Sequence, residues 1–140
     1  RKNWQRAEQL YKKALEVHPD HAIAANNLAY LMLEQGGNVD VALSLAQVAR
    51  RSMPDLPSTA DTLAWAYYRK GTYNLAIPLL EDAVKTVPKN PTYHYHLGLA
   101  YEKVNERAKA RLHLEKVLQL SPNYPQAEAV RQAMTSLGKG

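Results

Sequence analysis

Five histidines are the residues of this 140-residue chain best suited to proton transfer or metal binding, and their spacing restricts both. His94 and His96 stand two apart, which on a helix turns them about 200° from each other, so they cannot close on one ion as an i, i+4 pair does. His18 and His21 flank Pro19 in a connection, where chelation would be accidental. Asp61 and Glu102 have no evident acidic partner, and neither a Ser-His-Asp order nor a glycine-rich phosphate loop occurs. There is no cysteine, which excludes disulfides and thiolate metal sites and leaves the redox compartment unread. These residues predict a protein that is not an enzyme and holds no cofactor or metal.

Positioning falls to a repeated pair of helices. The stretch from Asp61 to Asn90 reads as two short amphipathic helices broken at Gly71, with Pro88 closing the second. Its markers Leu63, Ala64, Tyr67, Gly71, Ala76, Leu80, Ala83 and Pro88 return thirty-four residues later as Leu97, Gly98, Tyr101, Asn105, Ala110, Leu114, Val117 and Pro122. Towards the N-terminus, Leu28, Ala29, Met32, Ala42, Ala46, Ala49 and Pro54 follow once the Gly36-Gly37 turn is granted one extra residue. Ala7, Tyr11, Ala14 and Pro19 give a fourth copy without its first helix. A period of this size signals a solenoid.

The expected organisation is one domain over 1–140: a second helix of a truncated repeat at 1–21, repeats at 22–56, 57–90 and 91–124, and a capping helix at 125–140. The spacing predicts helices over 4–17, 22–35, 39–52, 58–70, 73–87, 91–104, 107–120 and 125–137, the last stopped by Gly138. Gly36-Gly37-Asn38 is a strong turn, since glycine supplies the positive φ that ends a helix, and Asn105 does the same where glycine is usual. Pro91 suits a first helical position. Pro78, inside a helix, removes a backbone hydrogen bond and predicts a slight kink. The polar Gln126, Glu128, Arg131 and Gln132 suit a terminal helix that meets water on one side.

Eighteen basic residues against thirteen acidic leave a formal charge of +5. The excess is scattered, which argues against nucleic acid as a partner. No apolar run approaches the roughly twenty residues of a membrane span. The chain begins with Arg1 in the middle of a repeat, as an excised piece of a longer protein would. Helix 4–17 lacks a first helix over one side, so Leu10 and Tyr11 are expected to be part-exposed and to promote association with another copy or with further chain.

The pattern of Leu97-Gly98, Tyr101, Ala110 and Pro122, repeated with Ala64 and Ala29 for the glycine and His94 or Ala60 for the leading Trp, resembles the tetratricopeptide repeat (TPR) family. The resemblance implies an all-α solenoid of antiparallel helix pairs whose first helices line a concave groove. By position the lining is Asn26, Asn27, Tyr30, Leu33 and Glu34, then Asp61, Thr62, Trp65, Tyr68 and Arg69, then Tyr95, His96, Leu99, Glu102 and Lys103. Aromatic residues there have the rigid, part-polar character of binding hot spots, and Asn26 and Asn27 suit a peptide backbone. Trp65 suits either that groove or the packing of the scaffold, while Tyr67 and Tyr101 suit the packing. The implied function is a non-catalytic scaffold that binds a peptide or helix of a partner protein. The Lys and Asn clamp with which some members hold a C-terminal carboxylate lacks its cations, since Asn26, Tyr30, Thr62, Thr92 and His96 stand at those places. Binding of nucleic acid or another anionic polymer through Lys103, Arg107, Lys109, Arg111 and Lys116 is an alternative. The strings at 26–37 and 61–84 are similar to those of bacterial repeat proteins of exopolysaccharide production and secretion, which implies a bacterial cytoplasmic or envelope setting and a second alternative, an export scaffold.

Overall fold

Glycine, asparagine and proline set where the helices begin and end. Gly36 (φ 76°), Gly71 (φ 83°) and Asn105 (φ 64°) adopt the left-handed conformation just beyond helices, which frees the chain to turn back. Asn38 and Asn90 cap the helices that follow them through side-chain oxygens that accept backbone N–H groups, and Pro57 and Pro91 occupy first-turn positions, where a missing N–H costs nothing. In the computed structural model, which describes residues 2–139, these signals divide the chain into α1 (Lys2–Val17), α2 (Ala22–Gln35), α3 (Val39–Ser52), α4 (Pro57–Lys70), α5 (Tyr73–Thr86), α6 (Pro91–Lys103), α7 (Arg107–Leu120) and α8 (Ala127–Lys139). No strand occurs among the described residues. The fold is an all-α solenoid of helix pairs, as the repeat predicts.

One helix departs from expectation. The last one starts at Ala127 and runs to Lys139, so Gly138 does not stop it. Tyr124, Pro125 and Gln126 remain outside it, with Ala127 N–H bonded to Tyr124 O across the turn. The guanidinium of Arg111 lies 3.6 Å from where a Cβ on Gly138 would sit. As expected, α5 runs through Pro78 without a break; Pro78 and Asn74 are both exposed, which leaves the freed carbonyl to water.

The chain comprises two compact units, 1–72 and 73–140. In the first, α2 packs on α1 and α3, α3 packs on α4, and α2 also touches α4. Small side chains let these helices approach: Ala25, Ala29, Ala42, Ala46, Ala49, Ala60 and Ala64 are fully buried. In the second, α6 packs on α5 and α7, and α7 on α8. Leu80, Leu97, Leu114, Val117 and Val130 fill its interior. Leu10 and Val17 of α1 are 61% and 72% exposed, and Tyr11 is half-buried.

Candidate interaction surface

In the first unit the two first helices, α2 and α4, are fastened to each other at both ends. Near their beginnings Asn26 Nδ2 donates to Ser58 Oγ (3.0 Å). Near their ends Arg69 Nη2 donates to Leu33 O (2.9 Å), a carbonyl in the last turn of α2 with no partner within its own helix. The Arg69 guanidinium also lies over the Trp65 ring, 5.6 Å from its centroid, and Trp65 stacks on Tyr68 at 4.6 Å and 13°. Trp65 is 7% exposed and belongs to the packing of the scaffold, as do Asp61, Thr62, Asn26 and Leu33. Tyr30, Tyr68 and Asn27 are half-buried, and Glu34 and Arg69 reach the surface. Among the described residues no donor reaches Asn26 Oδ1, which is buried.

In the second unit α6 carries the corresponding positions. Tyr95 and Leu99 are half-buried, as is Glu102, while Lys103 is exposed. His96 is 2% exposed. The Thr92 hydroxyl shares a hydrogen bond with Tyr124 OH (2.9 Å), and Tyr95 lies against the Tyr124 ring at 5.5 Å, so the turn before α8 is fixed to α6. The expected groove positions thus divide into a buried layer and an accessible one within each unit.

Three stretches match family models described as TPR or tetratricopeptide repeat: residues 1–57, 65–105 and 91–124. The chain belongs to the tetratricopeptide repeat family. Over 123 residues this TPR chain is 32% identical to N-alpha-acetyltransferase 25, the NatB auxiliary subunit, of human, mouse and rat, covering 86% of the chain and 12% of that protein. Over 104 residues it is 30% identical to cellulose synthase operon protein C of Escherichia coli K12, covering 74% and 9%. It therefore spans only a small part of either relative. Among solved structures it is similar to a thermophilic TPR protein of Thermus thermophilus, TTC0263, with TM-score 0.76 and 28% identity over 96% of this chain and 72% of that one. It also resembles the first TPR of Spaghetti (RPAP3), bound to an HSP90 peptide, with TM-score 0.71 and 21% identity over 84% and 93%.

The TPR positions account for the second unit's interior. At the small position of the first helix, Gly98 admits Leu114 of α7. At the Tyr position, Tyr101 is 5% exposed and its hydroxyl donates to the Glu81 carboxylate of α5. Burial, followed by that bond, pushes its pKa up. Where the family pattern has Trp, His94 is 4% exposed and faces His113, Nδ1 to Nδ1 at 3.0 Å. Comparison of neighbours in sequence misses this pair, because the two residues are nineteen apart; an antiparallel hairpin folded at Asn105 is the signal that brings them together. No set of three or more His, Cys, Asp or Glu side chains converges on a metal position among the described residues.

Two basic residues of α7 have intramolecular roles. Arg107 Nη2 donates to Leu137 O (2.8 Å) and Ser136 O (3.3 Å) near the end of α8, and Lys109 Nζ sits over the Tyr101 ring at 5.5 Å. No described helix is long and apolar enough to cross a membrane.

Proposed function

We propose that this TPR chain is a docking segment of a larger scaffold protein, and that its α2–α4 face takes an extended peptide or a helix of a partner. The observation that carries this reading is the way α2 and α4 are held. Hydrogen bonds at both ends and a buried Trp65 make a rigid floor, and the half-buried Tyr30 and Tyr68 on the same two helices are of a residue type enriched at binding hot spots. Ordering those side chains before binding lowers the entropy lost on association. Tyr95 and Leu99 of α6 give the second unit a smaller apolar face of its own.

The family scaffolds protein interactions, and one sequence relative is named as an auxiliary subunit. An acidic tail such as the HSP90 peptide bound to the Spaghetti domain is a poor fit here, because Arg69, the cation on this face, already serves Leu33 O and the Trp65 ring. The similarity to cellulose synthase operon protein C supports a second reading, a scaffold in an exopolysaccharide assembly. The anionic-polymer reading loses ground, since Arg107 and Lys109 are engaged within the unit.

A peptide array of mixed composition probed with the chain and with Tyr30→Ala/Tyr68→Ala tests the proposal. Apolar-aromatic peptides should be retained by the first protein and lost by the second at unchanged helix content. Equal binding by both proteins would overturn it.

A further inference from the structure

His94 and His113 take no part in the proposed docking face, and their geometry fixes the position of every proton between them. His94 Nε2 lies 2.7 Å from Pro88 O. A carbonyl only accepts, so His94 carries its hydrogen on Nε2 and presents a bare lone pair at Nδ1. His113 Nδ1, 3.0 Å away, is therefore the donor of the bond between the rings. His113 Nε2 is left as the pair's remaining basic nitrogen in this arrangement.

We propose that this pair is an acid-released latch, which holds α6 to α7 and to the turn at Pro88 only while His94 Nδ1 carries no proton. A proton added to His94 at Nδ1 would set two N–H hydrogens against each other across 3.0 Å and break the bond. A proton added to His113 at Nε2 would leave the bond from its Nδ1 to His94 in place, while putting a charge in a half-buried ring stacked on His94 at 5.2 Å.

The neighbouring charges act on both events. Lys116 of α7 opposes a cation on His94. Glu81 of α5 favours one on His113, although that carboxylate already accepts from Tyr101 of α6. Glu106, in the turn between α6 and α7, acts on Tyr101, and Lys109 covers the Tyr101 ring. Burial dominates for both rings. It lowers the pKa of His94 despite the bond to Pro88 O, and with His94 alongside it lowers that of His113 to about 4. The latch is consequently closed at neutral pH, and acid favours any state in which the rings part and reach water. A Trp at position 94, as the family pattern has, could not respond in this way.

Histidine ring NMR of the full chain from pH 8 to pH 4, with N-acetylhistidine amide in the same tube, tests the latch. Urea midpoints at pH 7.5 and pH 5.0 for the native chain and His113→Asn complete the experiment, since an Asn amide can donate to His94 Nδ1 or, turned over, accept from it once it is protonated. The His94 and His113 signals should stay in place while the reference titrates, and the native midpoint should fall on acidification at least about twice as far as that of His113→Asn. Either ring titrating together with the reference, or equal falls in the two proteins, would overturn the proposal. If His113→Asn does not fold, the ring titration alone decides.

Discussion

Gly98 lies so close to Leu114 that a Cβ at position 98 would come within 2.8 Å of the leucine Cγ and Cδ2, and within 3.3 Å of Ala110 O. Contact at this range is the reason α6 and α7 share an interior with no bulky spacer between them. Gly98→Ala should gain up to ~1 kcal/mol in helix propensity and lose more to overpacking, which typically costs ~1–3 kcal/mol. A lowered urea midpoint is the expected outcome; a raised one would mean that the two helices separate freely.

Trp65 is the large aromatic of the first unit that packing claims. Trp65→Ala should cost roughly 3–5 kcal/mol, because the ring is 7% exposed and supports both Tyr68 and Arg69. Tyr68→Ala, at a half-buried position, should cost distinctly less. Thermal unfolding of the two variants side by side checks the order.

Arg69→Met keeps much of the aliphatic stem and removes the hydrogen bond to Leu33 O. A loss of about 1–2 kcal/mol is expected, with hydrogen exchange accelerating at the end of α2 ahead of its beginning, where Asn26 and Ser58 remain bonded. Uniform exchange along α2 would contradict the idea that the helix pair is fastened separately at each end.

Acid should weaken the second unit in a defined window. The His113 pKa stands at about 4 in the folded chain against an ordinary 6.5, so between these values the unfolded chain binds more protons and stability rises with pH. The contribution is whole above about pH 6.5 and is lost as pH falls towards 4. At ~1.36 kcal/mol per unit, discounted for the partial exposure of the ring, it amounts to something on the order of 2 kcal/mol. Denaturation curves at half-unit pH steps should bend downward in this interval.

By itself the sequence determined the helix pairs, their turns and the family. Periodic alanines and leucines, the glycines and asparagine at the turns, and Pro57 and Pro91 at helix starts are signals read within a few residues of where they act. A helix end is decided by local backbone geometry, so such signals suffice. They misplaced the last helix by two residues because Pro125 can open a turn as well as a helix, and because a helical glycine is disfavoured without being forbidden. The tertiary structure alone decided which predicted groove residues stay accessible. Asn26, Asp61, Thr62, Trp65 and His96 share repeat positions with the half-buried Asn27, Tyr30, Tyr95 and Leu99, and only the packing around each of them separates the two groups. It also decided that Arg69 faces Leu33 and that His94 faces His113, contacts between residues thirty-six and nineteen apart. Pairings of this kind depend on where two helix surfaces meet, and helical periodicity carries the orientation of a face without naming the side chain opposite.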